Sequence, residues 1–472
     1  MSPLIALLIG LAFIAWLMRM DMRWRELPSK VLWIPALWLA LSSSRNPAFW
    51  LGAMGFGGGS SNNLEGSPIN VVFNGGLFLI TAVALNRRSF SWSRWVSANK
   101  ALFFLFTYFL LSMIWSEFPI PTVKRLVQEF GSVLIAAVFL TETDPKLSVR
   151  VVFARVSYVL FPLSVVFIRY FPSIGRNVSS VSGSHMLCGV ADHKNSLGQL
   201  AMVFCLVLLW DLVETRKDGT APTAKAERWA RYINLGIGIY LLNVSESATS
   251  LMCFLFGLVM FFTCERLSRI RNAKQLFILG AFAIVCVLIV NQRYGLTSQI
   301  SMAMGRGENL SGRRQIWENI LEKETNPLVG HGFRGFWETD QGQAVWQELG
   351  TNRLLTSHNG YLEIYLQGGL IGLFLLIAFL WSTGLNAADK LVRGDPIGRL
   401  AVLFWPILLI YDATESAFIQ VGVLWFAMLI VTIHSPWPNI LASEDNAETD
   451  DEPLLGSIRS SVDIGTLRIG QF

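Results

Sequence analysis

Charged side chains and histidines are scarce in this chain. Only 15% of its 472 residues are Asp, Glu, Lys or Arg, and histidine occurs five times. A single soluble domain of this size would need far more polar surface, so the low charge argues against one. Apolar residues instead reach 53%, the mean hydropathy is +0.47, and apolar runs near the length of a bilayer span recur from end to end. The composition predicts a polytopic membrane protein.

Cysteine is also scarce, and its spacing indicates neither disulfides nor a metal site. Of the five cysteines, Cys205, Cys253, Cys264 and Cys286 lie in or at the ends of apolar runs, and Cys188 lies in a predicted loop. No pairing pattern or metal-ligand spacing connects them. We therefore expect no bound metal and no cofactor. The net charge of +5 is modest, and we expect no nucleic-acid partner.

Thirteen apolar segments predict an all-α fold with about thirteen transmembrane helices. Each segment approaches the length that a helix needs to cross the hydrocarbon core of a bilayer. We assign residues 1–434 to this membrane domain, with 291–357 as a long extracytoplasmic loop. The predicted spans lie near residues 4–18, 31–48, 69–85, 101–115, 122–140, 151–168, 196–213, 233–244, 250–262, 276–290, 360–381, 400–411 and 418–433.

Lysine and arginine set the predicted orientation, because cationic connectors are retained on the cytoplasmic side. They follow every second span, and Arg169 and Arg176 are the main departures. The alternation predicts an N-terminus outside, a C-terminus inside and a long loop outside. The polar residues 435–472 predict a disordered cytoplasmic tail, and the glycine-rich residues 55–60 predict a flexible outer loop.

The long loop is the one sizeable polar segment of the membrane domain, and it contains several titratable and cationic side chains. A connector needs fewer of them, so we expect the chemistry of the protein to lie here. The residues concerned are Arg306, Arg313, Arg314, His331, Arg334 and His358.

Periodicity in this loop predicts a short amphipathic helix that begins after an N-cap at Ser311. Arg313 precedes Trp317 by four residues and therefore shares its apolar side, whereas Arg314 precedes Glu318 by four and shares the polar side. Arg313 is thus predicted to point inward. The glycine-punctuated turn at 330–335 follows, and its backbone is able to approach a ligand closely. Guanidinium groups beside such amides predict a cradle for a pyrophosphate.

With the predicted orientation, most polar residues near the span ends lie at the outer face. Charged groups inside a bilayer are costly and usually face a wet cavity or a partner, so their clustering predicts an outward-facing site. His358 is placed at the start of a helix that includes Tyr361, where its imidazole is able to take a proton near neutral pH. The outer-face residues are Arg125, His193, Lys194, Asn195, Glu246, His358, Asp412 and Glu415.

Each of these residues also has a purely structural explanation. Arg125 and Glu129 are spaced for an intrahelical ion pair. His193 and Lys194 are placed to anchor a helix end at the headgroups. The acidic residues of the outer turns, Glu415 among them, need only water around them. A capping or packing role is open for His358 as well.

Four motifs of this sequence occur in one known superfamily in the same order. They are WSEFPIPTVKR at 115–125, DHKNSLGQ at 192–199, LSGRRQIWENILEKETNPLVGHGFRGFW at 310–337 and SHNGYLEIYLQGGLIG at 357–372. On these motifs the chain resembles the O-antigen ligase and Wzy-type polymerase superfamily, and most of all its exopolysaccharide polymerase branch, the ExoQ-like proteins. The resemblance covers nearly all of the membrane domain.

The resemblance implies a multi-span, metal-independent glycosyltransferase of the bacterial inner membrane. It implies transfer of a glycan from undecaprenyl pyrophosphate to an acceptor sugar hydroxyl at the periplasmic face. The N-terminus would then be periplasmic and the C-terminus cytoplasmic. The implied partners are the undecaprenyl-pyrophosphate-linked oligosaccharide and the lipid bilayer, with a chain-length regulator or an export complex as a further candidate.

The resemblance also assigns roles to residues. It implies that His358 is the catalytic base and that Arg313, together with Arg125, binds pyrophosphate. His331 stands where relatives often have tyrosine. The remaining substrate-binding candidates are His193, Lys194, Asn195, Arg314, His331, Arg334, Asn359 and Tyr361.

Three alternatives to a polymerase stay open at this point. An O-antigen ligase would use the same chemistry and transfer the glycan to lipid A core. A transporter of lipid-linked oligosaccharides would usually place its ionisable groups near the midplane and show repeated halves. A structural component of a synthase complex would have no chemistry of its own.

Overall fold

The regular structure of this protein is almost entirely helical, as the sequence predicts. The computed structural model describes residues 1–56, 67–178, 185–267, 269–270, 272–295, 299, 310–350 and 356–436. The α-helices are α1 Pro3–Trp24, α2 Trp33–Ser42, α3 Pro47–Ala53, α4 Pro68–Arg87, α5 Trp92–Ala98, α6 Lys100–Leu111, α7 Pro119–Ala137, α8 Pro145–Tyr170, α9 Pro172–Gly175, α10 Lys194–Lys217, α11 Lys225–Val244, α12 Ala248–Leu267, α13 Ala273–Tyr294, α14 Leu310–Leu321, α15 Asp340–Glu348, α16 Gly360–Val392, α17 Gly398–Tyr411 and α18 Val423–Thr432.

Short elements complete the described part of the chain. One antiparallel hairpin pairs β1 Arg176–Val178 with β2 His185–Leu187, and it is the exception to the all-α prediction. Single turns of 3-10 helix occur at Lys30–Leu32, Ser112–Ile114, Val138–Thr141 and Phe336–Glu338.

Proline and polar caps determine where several helices begin. Pro145 occupies the first turn of α8, where its missing N–H costs no helical hydrogen bond, and the Asp144 side chain accepts the N–H of Leu147 at 2.8 Å. Asn359 caps α16 in the same way, because its Oδ1 accepts the N–H groups of Tyr361 (3.0 Å) and Leu362 (3.1 Å). The helix that contains the SHNGYLEIYLQ motif therefore begins directly after the predicted base.

The protein is a multi-pass membrane protein, and every predicted span coincides with a helix. Among the residues that the structure describes, five helices are long and apolar enough to cross a bilayer alone, namely α1, α4, α8, α10 and α16, and the bent pair of α5 and α6 makes a sixth if it forms one span. Five shorter apolar helices accompany them. The count of about thirteen spans stays a prediction. Arg306, most of residues 55–60 and most of residues 435–472 lie outside the described residues.

Helices α8 and α10 form the centre of the bundle, whereas α1 and α4 form its rim. Within their most apolar windows, 78% of α8 and 72% of α10 is buried, against 22% of α1 and 17% of α4. α10 packs against α8, α11 and α12, and α17 packs against α12, α16 and α18. The rim helices leave apolar side chains exposed, as lipid-facing helices do.

The long loop docks onto a break in α16. Gly369 has φ 58° and ψ −156°, which interrupts the helix, and a Cβ there would lie 2.2 Å from the carbonyl carbon of Leu328. A residue other than glycine therefore fits neither the conformation nor the space. At this break the N–H of His331 donates to the carbonyl of Leu366 at 2.9 Å. The loop is thus fixed to the membrane domain by backbone hydrogen bonds.

The folded part of the long loop has a small core of its own. Lys323, two residues after the end of α14, pairs with Glu348 of α15 at 2.6 Å, and the Trp317 indole of α14 donates to the carbonyl of Ser357 at 2.8 Å. This second bond ties α14 to the turn that precedes α16. The buried side chains between these elements are Ile320, Phe336, Trp337, Val345 and Leu366.

A buried ionic network joins the helix ends on the side that the sequence predicts to be cytoplasmic. The carboxylate of Asp211 accepts from Arg150 (2.6 Å), Arg231 (3.0 Å) and Arg25 (3.2 Å), and Arg25 also pairs with Asp21 at 2.8 Å. These residues belong to α1, α8, α10 and α11 or lie beside them. We name this set the Asp211 network, and it ties four helices together at one end.

Replacing Asp211 by asparagine should destabilise the fold strongly. Three arginines would lose their shared carboxylate inside the protein, and breaking a buried ion pair costs about 3 to 5 kcal/mol. Thermal unfolding of the purified protein in detergent measures the loss. The matched control is Asp389→Asn, because the exposed Asp389–Arg393 pair contributes about 0 to 1 kcal/mol. Equal unfolding temperatures for the two variants would contradict a stabilising role of the Asp211 network.

Candidate active site

Three predicted site residues converge on one carboxylate, that of Glu415 in the turn between α17 and α18. Its Oε1 accepts from Arg313 Nη2 at 2.5 Å and from Asn195 Nδ2 at 2.6 Å, and its Oε2 lies 3.0 Å from His358 Nδ1. The Glu415 side chain is 8% exposed. We name these four residues the Glu415 cluster. Its members come from α10, α14 and the turn before α16, so tertiary structure alone brings them together.

The turn that carries Glu415 is built against the start of α16. The N–H of Gly360 donates to the carbonyls of Asp412 (2.7 Å) and Glu415 (2.9 Å). Asp412 Oδ1 in turn accepts the N–H groups of Ala417 (2.7 Å) and Phe418 (3.0 Å). A Cβ on residue 360 would lie 1.8 Å from Asp412 Oδ1, so only glycine fits. The glycine after His358 and Asn359 therefore allows the close contact that places Glu415 beside His358.

The two acidic residues of this turn have opposite pKa shifts. Burial alone would raise the pKa of Glu415, but Arg313 and then His358 lower it to about 2. Burial raises the pKa of Asp412 well above its ordinary value, and two backbone N–H groups oppose only part of this shift. Glu415 is therefore ionised at neutral pH, whereas burial favours the neutral form of Asp412. The carboxylate that the cations contact is that of Glu415.

The ionised carboxylate determines which tautomer of His358 is present. A carboxylate is only an acceptor, so Nδ1 must be the protonated nitrogen that donates to Glu415. In the neutral ring Nε2 then carries the lone pair, and this nitrogen is the one able to take a proton. A base oriented by a third group is the arrangement that nucleophile activation needs.

Backbone strain is concentrated around this turn. His358 (φ 52°), Arg334 (φ 53°) and Ile419 (φ 49°) have left-handed backbone conformations. Such a conformation is uncommon for any residue with a Cβ and most of all for a β-branched one. Strained residues persist where the surrounding structure holds them, often at functional sites.

The DHKNSLGQ motif contributes its asparagine to the Glu415 cluster directly and its histidine indirectly. His193 is the N-cap of α10, and its Nδ1 accepts the N–H of Asn195 at 3.2 Å. Burial lowers the pKa of His193, which the charge of Glu415 opposes. Lys194 is the half-buried first residue of α10. His193 therefore caps α10 and lies close enough to Glu415 for the carboxylate charge to act on its ring.

Two other arginines form a second charged group. Arg125 donates to Glu338 Oε1 (2.8 Å) and to the carbonyl of Arg334 (2.5 Å). Arg334 pairs with Glu129 Oε1 at 2.8 Å, and this carboxylate also accepts the N–H of Val421 at 3.0 Å. We name Arg125, Arg334, Glu129 and Glu338 the arginine cluster. The spacing of Arg125 and Glu129 allows an ion pair within α7. In the structure each of them also has a partner outside this helix, Glu338 for Arg125 and Arg334 for Glu129.

Arg125 and Arg334 of the arginine cluster line a cleft of about 910 Å³ between α2, α3, α4 and α7. Its lining does not include Arg313, His358 or Glu415. We name it the outer cleft. Its charged lining residues are Arg45, Lys124, Arg125, Asp192 and Arg334.

Several predicted site residues lie away from both clusters. Arg314 points into solvent, 80% exposed, and pairs with Glu318 at 2.8 Å. His331 packs on Phe336, its Nε2 lies 3.2 Å from Thr325 Oγ1, and burial lowers its pKa. Neither residue approaches Glu415.

Asn359 and Tyr361 have structural contacts. The Asn359 side chain is occupied in capping α16. The Tyr361 hydroxyl donates to the carbonyl of Leu409 at 3.1 Å, and its ring packs edge-on against Phe418. Both residues support the turns that hold His358 and Glu415.

The cradle of free amides predicted at residues 330–335 is wrong. The N–H of Gly332 donates to the carbonyl of Gln367 (3.0 Å), and that of Phe333 donates to Ser112 Oγ (3.0 Å). The glycines serve close docking instead, because a Cβ on Gly330 would lie 2.6 Å from the Leu366 carbonyl oxygen. These N–H groups are therefore occupied by bonds within the protein, and the turn positions Arg334.

Sequence reasoning assigned too little to the carboxylates of the site. Glu415 was considered mainly as a turn residue, and Glu129 only as an intrahelical partner. Electrostatics could have identified these carboxylates from the sequence, because several cations predicted at one buried face need anions close by. The spacing of Asp412 and Glu415 in an outer turn places two such candidates there.

This chain is similar to known proteins over much of its length. A family model described as O-antigen ligase matches residues 233–377. The exopolysaccharide production protein ExoQ of Rhizobium meliloti (strain 1021) is 26% identical over 343 residues, which covers 69% of this chain and 73% of that protein. Arg313 and His358 lie inside the matched family region, whereas Arg125, Asn195 and Glu415 lie outside it.

The ionic bonds of Glu415 should make stability depend on pH in a defined window. Its pKa is depressed from 4.5 to about 2 in the folded protein, so its contribution is fully present above about pH 4.5 and is lost as pH falls towards 2. We expect Glu415→Gln to unfold at a lower temperature than wild type, by a margin that becomes smaller as pH falls below about 5.

Thermal unfolding of both proteins between pH 3 and pH 8 measures this margin. Glu318→Gln is the control, because Glu318 is 58% exposed and its pair with Arg314 lies outside the cluster. A margin that grows as pH falls would contradict the proposed charge state of Glu415.

Proposed function

We propose that this chain, which is similar to the O-antigen ligase family and to ExoQ, polymerises exopolysaccharide or O-antigen-like repeat units. In this proposal it transfers a glycan from undecaprenyl pyrophosphate to an acceptor sugar hydroxyl at the periplasmic face of the inner membrane. The observation that carries the proposal is the convergence of His358, Arg313 and Asn195 on Glu415. A base and a phosphate-binding cation are thereby held by the same carboxylate.

His358 acts as the general base of this reaction. Glu415 holds its Nδ1–H, so Nε2 takes the proton of the acceptor hydroxyl as the oxygen attacks the anomeric carbon of the donor. The bond between that carbon and the phosphate oxygen breaks, and undecaprenyl pyrophosphate leaves with the bonding electrons. Attack opposite the leaving group inverts the anomeric configuration. Glu415 stabilises the imidazolium that forms.

Arg313 binds the leaving diphosphate. A guanidinium has five N–H donors in a planar fork, so its bond to Glu415 leaves donors that match phosphate oxygens. Its positive charge stabilises the negative charge that develops on the diphosphate as the bond breaks. Among the residues that the structure describes, no group of three His, Cys, Asp or Glu side chains is arranged for a metal ion. Metal independence remains part of the proposal.

The transporter alternative is supported less well by the position of these groups. Glu415 lies in a turn, His358 directly before α16, and Asn195 in the first turn of α10. All three are therefore at helix ends, whereas alternating-access transporters usually bind near the midplane. The ligase alternative uses the same site and differs in the acceptor. Separating the products by gel distinguishes a ladder of repeats from a single capped lipid.

Replacing His358 by alanine should abolish polymer formation. Loss of a positioned base lowers a rate by about 100- to 10,000-fold. The measurement is elongation of a purified lipid-linked repeat unit by the purified variant. His358→Asn is the matched second variant, since asparagine tolerates the left-handed backbone of this residue but is not basic. Long-chain product at the wild-type rate from either folded variant would remove His358 from the mechanism.

Arginine-to-lysine changes at two adjacent residues of α14 should have different effects. Arg313→Lys loses the fork that binds both Glu415 and the diphosphate, and we expect elongation to fall about 10- to 100-fold, since a hydrogen bond to a charged group contributes roughly 1.5 to 3 kcal/mol. Arg314→Lys should retain elongation within about twofold, because Arg314 is in solvent. Equal losses in both variants, measured at equal protein levels, would argue against a specific role for Arg313.

A further inference from the structure

The outer cleft combines a cationic rim with apolar walls. Lys124, Arg125 and Arg334 lie at the rim, whereas Val71 and Phe78 of α4 contribute apolar side chains. Its volume of about 910 Å³ lies near the upper end of the range for small-molecule sites. A ligand that fits this lining has an anionic head and an apolar tail.

The outer cleft is accessible from the lipid. Helix α4, which forms one wall, has only 17% of its most apolar window buried and packs mainly against α3 and α7. Val71 is 53% exposed while it also lines the cleft. A membrane lipid can therefore reach the cleft sideways along α4, with its tail among the exposed apolar side chains.

The cations of the cleft are held separately from those of the Glu415 cluster. Arg125 is oriented by Glu338 and Arg334 by Glu129, whereas Arg313 is oriented by Glu415. The two clusters are joined through one stretch of chain, residues 415–421. The carbonyl of Ile419 in this stretch accepts from Arg334 at 3.4 Å. The protein thus has two groups of arginines that meet at one connecting turn.

We propose that the outer cleft binds a second lipid-linked diphosphate, the acceptor substrate, while the Glu415 cluster binds that of the donor. This inference rests on the proposed function, in which both substrates are glycans on a polyprenyl diphosphate. The donor belongs at Arg313, because its diphosphate leaves from the carbon that the acceptor oxygen attacks, and Arg313 shares Glu415 with the base. The diphosphate of the acceptor needs a separate binding site, because the donor occupies Arg313. The outer cleft is that site in this proposal.

Binding stoichiometry tests the proposal directly. The probe is a short-chain polyprenyl diphosphate without sugar, titrated into the protein in lipid nanodiscs. We expect two equivalents to bind wild type. Val71→Trp fills the cleft from an exposed position of α4 without changing any charge, and Lys124→Gln removes a rim cation. Each should weaken one equivalent about tenfold or more and leave the other unchanged.

Variants of the other cluster complete the test. Arg313→Gln should weaken binding of the other equivalent, which Val71→Trp and Lys124→Gln leave unchanged. The double variant Arg313→Gln with Val71→Trp should weaken binding of both equivalents. Arg393→Gln is the control, because Arg393 is exposed directly after α16, at the opposite end of that helix from His358. Inorganic diphosphate and a polyprenol without phosphate, used as competitors, show whether the head or the tail dominates at each site.

Two results would overturn the proposal. In the first, wild type binds a single equivalent, and either Val71→Trp or Arg313→Gln alone abolishes its binding. The two clusters would then share one diphosphate. In the second, Val71→Trp leaves both binding and elongation unchanged. Failure of the polymerase function is a separate result. Wild type that binds two equivalents but elongates no lipid-linked repeat would retain the second lipid site and reject polymerisation.

Discussion

The charge on one buried carboxylate organises the outer side of this protein. Glu415 receives hydrogen bonds from α10, α14 and the turn before α16, three segments separated by more than a hundred residues at the widest. Arg313 is held in an interior position that only an anion makes tolerable, because an unpaired buried charge costs several kcal/mol. The same anion fixes the proton on Nδ1 of His358. The position of Arg313 and the tautomer of His358 thus both depend on the charge of Glu415.

The membrane domain makes this arrangement possible by fixing the chain around the carboxylate. Gly360 allows α16 to begin against the turn of Glu415, and Gly369 interrupts the same helix where the long loop docks. Trp317 fastens α14 to the carbonyl of Ser357, one residue before the base. Two glycines and one indole therefore convert a polar loop into a rigid part of the site.

Much of this architecture follows from the sequence, and the limits have physical causes. Apolar runs identify the helices because burial in lipid requires continuous hydrophobicity, and a spacing of four residues correctly separates Arg313, which is inward, from Arg314, which is outward. The sequence does not reveal that Glu415 is the partner of Arg313, because the two residues are 102 positions apart and only tertiary packing brings them together. The glycines at 330–335 were assigned to a ligand because a sequence does not reveal that backbone of α16 occupies the same space.

Fastening the bundle by the Asp211 network at one end makes its flexibility asymmetric. Its four helices share buried charges there, and separating them would expose arginines without counterions to a medium of low polarity. Helix α4 belongs to neither this network nor the Glu415 cluster, and only 17% of its most apolar window is buried. The helix that forms the lipid-facing wall of the outer cleft is therefore held less firmly than the four helices that share Asp211.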